Sequence, residues 1–359
     1  MLELWSAAGA FEQIEEYLRG AGFFRPGVEA LVADVYLGYG LSEPLRRSAA
    51  PPPPEPCRLP LAAVSVRDTA QRDTAQGLSL SPERDTLRIG MWERSWTEGA
   101  YGAAVEEVRA AIERGDVYQV NLVQHLSATL EGDPKALAAA LAPFRPLAPY
   151  LAGEGWAIVS ASPELFLARR DRRVWTMPIK GTRPLGEHVE GEKDEAEHVM
   201  IVDLERNDLS RVCEPGSVRW PELMVERELA GVTHLVSHVE GRLREDISLA
   251  ALLAATFPGG SVTGAPKLAA LDEIARLEPV GRGASMGALG TIRGNGDLDL
   301  ALTIRTFAVA AGRVHLWVGG GIVWDSDPQA EIEESWTKAR PLLAAVGAPL
   351  PIPGNRVPA

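Results

Sequence analysis

Residues 178–183, Pro178-Ile179-Lys180-Gly181-Thr182-Arg183, hold one lysine between a residue whose φ is fixed and one whose φ is almost free, directly after an apolar, strand-like run. If apolar side chains wall that lysine in, its ammonium loses hydration and its pKa falls, leaving a fraction as neutral amine able to attack carbon. The same residues also fit an exposed turn lysine. Sixteen positions upstream, Ser160-Ala161-Ser162-Pro163-Glu164-Leu165-Phe166 sets a carboxylate at a second strand edge among small and apolar neighbours. Together the two stretches suggest an acid and a nucleophile.

The flanking pattern supplies a framework for both. Apolar spacing predicts strands near 156–161, 164–169, 173–178, 217–228 and 231–241. A helix is predicted over 192–209, with Glu197, Met200, Ile201 and Leu204 at i, i+3, i+4 and i+7, so a carboxylate shares its apolar face. A buried carboxylate needs a partner, and a metal ion is one; a glutamate reaching out to solvent is the alternative. The end of this helix, Ile201-Val202-Asp203-Leu204-Glu205-Arg206-Asn207-Asp208-Leu209, reads by residue type as a hydrogen-bonded cap, since asparagine and aspartate are poor in helix interiors. Farther upstream, Thr97 is placed to cap a helix with Tyr101, Val105, Val108 and Ile112 on one stripe, ending at Gly115. Residues 117–130 then read as a long strand on which Gln119 and Asn121 face one side, and a helix is expected near 134–142.

Downstream, His234 lies in a strand as Thr233-His234-Leu235-Val236-Ser237, either structural or titrating near neutrality. The glycine-rich run from Phe257 to Lys267 feeds a helix with Pro266 in its first turn, where free backbone N–H groups suit an anion. It lacks the spacing of a nucleotide-binding P-loop. Residues 299–310 and 314–323 read as a hairpin turning near Gly312. Arg305, a charge within that apolar run, is best explained by a carboxylate partner, with a solvent-facing arginine or a structural ion pair as alternatives. Gly319-Gly320-Gly321 leaves backbone N–H groups open to a ligand carboxylate. A last helix over 327–345 enters at Asp327-Pro328, buries Ile332, Trp336, Ala339, Leu343 and Val346, and carries Glu331, Glu334 and Lys338 on an adjacent face.

Of the 359 residues 46% are apolar and 24% charged, which describes a globular chain with a sizeable core. A formal net charge of −13 without a basic cluster excludes a nucleic-acid surface, so an anionic substrate has to be held by locally placed cations or a metal. Cys57 and Cys213 have neither CxxC spacing nor paired histidines, and no run reaches membrane-spanning length; the expectation is a cytoplasmic protein with two free thiols, no membrane contact and no nucleic-acid partner. Residues 1–96 hold an amphipathic segment with Phe11, Ile14, Tyr17 and Leu18, a proline-rich spacer at 51–60, and a polar stretch in which RDTAQ occurs twice.

Ordered motifs over roughly 97–346, namely GDVYQVNL at 115–122, SASPELF at 160–166, PIKGT at 178–182, IVDLERNDL at 201–209, the glycine-rich run and the ExxE of Glu331 and Glu334, carry a resemblance to a known family. They resemble the chorismate-utilising enzymes: anthranilate synthase component I, aminodeoxychorismate synthase component I, isochorismate synthase and salicylate synthase. The form PIKGT is similar to the aminodeoxychorismate synthase branch, because the anthranilate enzymes usually carry alanine where this chain has Lys180. The resemblance implies an α+β, anthranilate synthase component I-like fold, with large antiparallel sheets packed together and helices outside. It divides the chain into a shortened N-terminal portion with its linker (1–96), a catalytic domain (97–346) and a tail (347–359).

The resemblance also implies roles. Lys180 is the nucleophile and Glu164 the acid; His234, Thr263, Arg305, Gly319, Gly320, Gly321, Lys338, Gln119, Asn121 and Thr182 contact chorismate; Glu197 and Glu334, with Glu331 beside them, hold Mg2+. Ammonia comes from a separate glutamine amidotransferase subunit, and the product is 4-amino-4-deoxychorismate for para-aminobenzoate and folate synthesis. An anthranilate synthase component I and an inactive chorismate-binding subunit are the alternatives. Two departures stand out: no LLES-like motif in the first 96 residues, and Ser285 where many relatives carry an aromatic ring.

Overall fold

Helix starts lie where the sequence supplies caps. Thr97 Oγ1 accepts from the Ala100 N–H at 3.1 Å and opens the helix Glu98–Glu113. Asp133 accepts from Lys135 at 2.8 Å before Pro134–Leu141, and Asp327 from Ala330 at 2.9 Å before Pro328–Ala345. In each case a side-chain oxygen takes a donor that the first turn leaves free. The computed structural model describes residues 1–25, 27–28, 30–69, 87–184, 192–229 and 232–348. No helix among them is long and apolar enough to cross a membrane.

Two antiparallel sheets form the body. Among the described residues the larger has ten strands and runs Leu2–Leu4, Ala62–Asp68, Leu31–Leu37, Ala288–Arg293, Leu298–Leu302, Leu165–Arg170, Arg173–Met177 and Val232–Arg242. Arg219–Leu229 lines one side of Val232–Arg242, while Arg173–Met177 and then Ile179–Pro184 follow the other, separated only by Pro178. The smaller sheet has eight strands, with Gln119–Glu131, Arg313–Ile322, Thr306–Ala310 and Trp156–Ser160 at its centre.

Alternation buries both faces of the smaller sheet. Val314, Leu316, Val318, Phe307, Val309, Ala157 and Val159 join a cluster with Leu137 and Leu141 of Pro134–Leu141 and with Leu342 and Leu343 of Pro328–Ala345. Trp317, Ala308, Ala310, Trp156 and Ile158 point the other way, into a cluster shared with Val35, Leu37, Phe166 and Leu300 of the larger sheet. Period-two side chains thus make one layer serve two cores. Leu31–Leu37 pairs with Ala288–Arg293 over Val32↔Arg293 to Leu37↔Ala288, so the N-terminal portion adds strands to the larger sheet.

Two local expectations fail. The stretch 299–310 is not one strand, because Leu298–Leu302 belongs to the larger sheet and Thr306–Ala310 to the smaller. Arg305 sits in the crossover at φ 49°, outside any strand. Asn207 and Asp208 are not a cap either: the helix Glu192–Ser210 runs through them, and Asp208 is buried against Lys267.

A buried ion pair ties these layers together. Arg282 (1% exposed) meets both oxygens of Glu278 at 2.9 and 2.7 Å, donates to Val262 O at 2.9 Å and Asn121 O at 2.6 Å, and lies over the Tyr39 ring at 4.7 Å. Glu278 also accepts from the Val123 N–H at 3.1 Å. Removing one partner of such a pair strands the other charge in the core. Arg282→Met should therefore cost about 3–5 kcal/mol in urea unfolding, and adding Glu278→Leu should recover most of that loss.

Two stacked histidines make stability pH-dependent. His125 Nε2 and His315 Nδ1 lie 3.0 Å apart with ring centroids at 5.3 Å. Burial, then the neighbouring charges, pushes His125 down to about 3 and His315 to about 4. Folded imidazoles that refuse a proton are stable partners above the unfolded value of 6.5 and lose that stability as pH falls toward 4. The unfolding free energy read from urea titrations should drop over pH 6.5 to 4.5 by about 1.4 kcal/mol per pH unit per histidine, a slope that His125→Gln/His315→Gln should flatten.

Candidate active site

The site forms where the lysine strand of the larger sheet meets the glycine end of Arg313–Ile322. Lys180 stands opposite Leu235 and Arg183 opposite Thr233, so Gly181 and Thr182 together face His234. This is a β-bulge with Gly181 at φ 61°, a conformation that glycine adopts without strain. His234 Nδ1 donates to Gly181 O at 2.8 Å, and burial holds its pKa below the ordinary value, so the ring stays neutral at pH 7. Thr182 contributes backbone to the bulge; its side chain lies outside the described residues.

Lys180 Nζ lies 2.9 Å from Glu197 Oε1, and Gln119 Nε2 donates to the same oxygen at 2.8 Å. Through the helix Glu192–Ser210, this chain of contacts joins the larger sheet to the smaller. The lowered pKa expected for Lys180 is corrected here. Burial does act in that direction, but the carboxylates of Glu197, Glu164 and Glu334 raise the ammonium above its ordinary value. Burial would in turn raise Glu197, which Lys180, Lys338 and the Gln119 contact hold below the usual carboxylate range.

Glu164 is set differently. It is 4% exposed, and its Oε1 accepts from Ser261 Oγ at 2.7 Å and from the Ile179 N–H at 3.4 Å. Burial raises its pKa and outweighs the opposing help of Ser261, Lys180 and Arg305. Arg305, expected to have a carboxylate partner, makes no ion pair or side-chain hydrogen bond among the described residues; Glu164 acts on it through charge alone, and burial lowers its pKa. Its fork is left for an anion.

The glycine run pairs with the Gln119 strand as Gly319↔Val123, Gly320↔Leu122 and Gly321↔Asn121. Lys338 Nζ donates to Gly319 O and to Glu334 Oε1, both at 2.7 Å. A Cβ on Gly320 would lie 3.1 Å from Glu334 Oε1 and 3.4 Å from Glu331 Oε2, whereas one on Gly321 would lie 1.9 Å from Gln119 Nε2 and 2.8 Å from Glu197 Oε1. Carboxylates therefore reach both faces of this backbone, in space that any side chain would fill. Among the described residues no three acidic, imidazole or thiol groups form a ready cage for a metal. Glu197 and Glu334 still fit a hard cation that takes one or two carboxylates and completes its shell with water and substrate oxygens.

Other expected contacts are less direct. Asn121 is buried beside the run, but Thr263 spends its hydroxyl on Gly259 O and Gly260 O at 3.1 and 3.3 Å. Ser285 is fully buried, its hydroxyl without a partner among the described residues. Sequence reasoning missed Ser261 and the buried carboxylates Glu205 and Asp208. The signal for Ser261 was a hydroxyl directly after the glycine pair of the glycine-rich run; for the carboxylates it was their i+4 and i+7 spacing from Ile201.

The family model for chorismate binding enzymes matches residues 59–344. Over 297 residues the chain is 39% identical to aminodeoxychorismate synthase component 1 of Salmonella typhimurium, covering 79% of this chain and 65% of that protein. Over 270 residues it is 44% identical to anthranilate synthase component 1 of Thermus thermophilus, covering 71% and 58%. The chain thus spans a little under two thirds of these relatives' length. The crystal structure of anthranilate synthase component I from Streptococcus pneumoniae superposes with a TM-score of 0.77 at 26% identity, over 91% of this chain and 84% of that one. The menaquinone-specific isochorismate synthase of Escherichia coli shares the fold at a TM-score of 0.74 and 19% identity, over 96% and 84%.

The Lys180–Glu197 pair predicts a labelling pattern. At pH 7.5 acetic anhydride should modify Lys180 much more slowly than exposed Lys135, as read by peptide mass mapping. Glu197→Gln removes the main charge that holds the ammonium and should speed modification of Lys180 by about tenfold or more.

Proposed function

The chain belongs to the family of chorismate binding enzymes, and from that membership we propose that it is an aminodeoxychorismate synthase component I, converting chorismate and ammonia to 4-amino-4-deoxychorismate. The observation that carries this reading is the placement of an amine, Lys180, and a carboxyl whose pKa burial raises, Glu164, around the same space, with the unspent fork of Arg305 beside them.

Arg305 and the backbone N–H groups at Gly320 hold one carboxylate of the substrate. Mg2+, held by Glu197 and Glu334 with Glu331 close by, would supply positive charge for the other. As substrate enters, Nζ parts from Glu197 and gives its proton to water. The amine then forms a bond to C2, the two ring double bonds shift, and the C4–O bond breaks, with Glu164 donating the proton that makes the leaving group water. Ammonia next bonds to C4, the two double bonds return, the C2–N bond breaks to release Lys180, and the new C4 ammonium gives one proton back to Glu164. The sum is chorismate plus ammonia giving aminodeoxychorismate plus water.

The relatives' designation as component 1 supports a partner component, which we take to be a glutamine amidotransferase supplying ammonia. The product would serve para-aminobenzoate and folate synthesis in the cytoplasm. The second reading, anthranilate synthase component I, has the 44% identity to the Thermus enzyme in its favour; it would add ammonia at C2 and eliminate pyruvate.

Incubating the protein with chorismate, Mg2+ and ammonium should yield aminodeoxychorismate by mass spectrometry, with a substrate-derived mass on the Lys180 peptide when ammonium is withheld. Lys180→Ala should lower turnover by about 100-fold or more. Anthranilate and pyruvate as products would establish the second reading instead.

A further inference from the structure

We infer that Ser261 is a positioning residue for the Glu164 carboxyl: its hydroxyl holds Oε1 as an acceptor and so makes Oε2 the oxygen that delivers the proton. This rests on the reading of Glu164 as the acid.

The glycine-rich loop has little freedom of its own. Lys267 Nζ donates to Pro258 O at 2.7 Å, Thr263 Oγ1 to Gly259 O and Gly260 O, and the Gly260 N–H to Glu205 Oε1 at 2.9 Å. Gly259 and Gly260 are packed so closely that a Cβ would come within 2.9 Å of Leu302 and 2.7 Å of Leu204. The next residue is Ser261, 6% exposed, and its hydroxyl reaches Glu164 Oε1 at 2.7 Å.

The second donor to Glu164, the Ile179 N–H at 3.4 Å, converges on the same oxygen. A carboxyl oxygen that accepts two donors is not the one that carries the proton. Among the described residues nothing donates to Oε2. Glu164 is held from behind by Ser162 Oγ on its own N–H at 3.3 Å and by the Leu302 N–H on its carbonyl at 3.0 Å. The charged groups that act on it are Lys180 and Arg305 from the site side and Glu205 from beneath the loop. Ser261 therefore has two effects. It fixes the rotation of the carboxyl, and by donating to the anion left after transfer it makes Glu164 a stronger acid than burial alone would leave.

The test compares Ser261→Ala, Ser261→Thr and Glu164→Gln with the parent. In Ser261→Ala, kcat for chorismate consumption should fall about 10- to 100-fold with KM little changed. The alkaline limb of its kcat profile should move up by about one pH unit, because an acid that must be protonated keeps its proton to higher pH once its donor is gone. Ser261→Thr, which keeps the hydroxyl, should restore both. Infrared titration of the substrate-free proteins gives a readout independent of turnover: the carboxyl band that disappears in Glu164→Gln should titrate about one unit higher in Ser261→Ala. If Glu164→Gln keeps full activity, the assignment of the acid fails and this inference falls with it. If Glu164→Gln is inactive while Ser261→Ala matches the parent in kcat, pH profile and infrared titration, the inference alone is overturned.

Discussion

A guanidinium with 1% exposure has to find partners for its donors inside the protein, and Arg282 finds them on three separate pieces of chain. Glu278, at the end of the helix Lys267–Leu277, takes the fork; Asn121 offers a carbonyl from the central strand of the smaller sheet; Val262 offers one from the glycine-rich loop. The last two lie one or two residues from a group of the site. Asn121 is two positions from Gln119, which holds Glu197, and Val262 follows Ser261, which holds Glu164. The clamp therefore fixes the helix end, the strand and the loop to one another, and with them the spacing between Gln119 and Ser261.

Within the site, two glutamates have their pKa values moved in opposite directions by their surroundings. Glu197 faces two lysines and a side-chain amide, and its charge is favoured. Glu164 faces a hydroxyl and a distant N–H, with cations acting only through space, and burial prevails. Separating the pKa values of chemically identical groups in this way lets one carboxylate balance charge while another supplies a proton. The same logic corrects the expectation for Lys180. Apolar walls alone would have freed its amine, but a buried ammonium ringed by carboxylates keeps its proton until that ring is disturbed.

The glycine run shows how backbone makes room for this crowding. Gly320 and Gly321 point to opposite faces of their strand, and each face receives a carboxylate where a side chain would have stood. The bulge at Gly181 does a related job on the other sheet, turning the strand just after Lys180 so that His234 stands opposite two residues. In both places missing side chains permit a geometry, and neighbouring charges use it.

Local rules written along the chain determined the helix starts at Thr97, Asp133 and Asp327, the alternating strands around Glu164 and Lys180, the turn near Gly312, and the ordered motifs by which Lys180, Glu164, Glu197 and Glu334 could be named together. Caps, periodicity and turn residues act over a few positions, so they are legible without a fold. Only the tertiary structure decided that Arg305 leaves the strand run for a crossover, that Asp208 lies mid-helix against Lys267, that Ser261 holds Glu164, and that Lys180 rests as an ammonium. Those outcomes depend on charges and donors brought together across separations such as the 97 positions between Ser261 and Glu164 or the 78 between Gln119 and Glu197. Electrostatic balance and hydrogen-bond satisfaction are properties of the assembled interior, and no short window of sequence contains them.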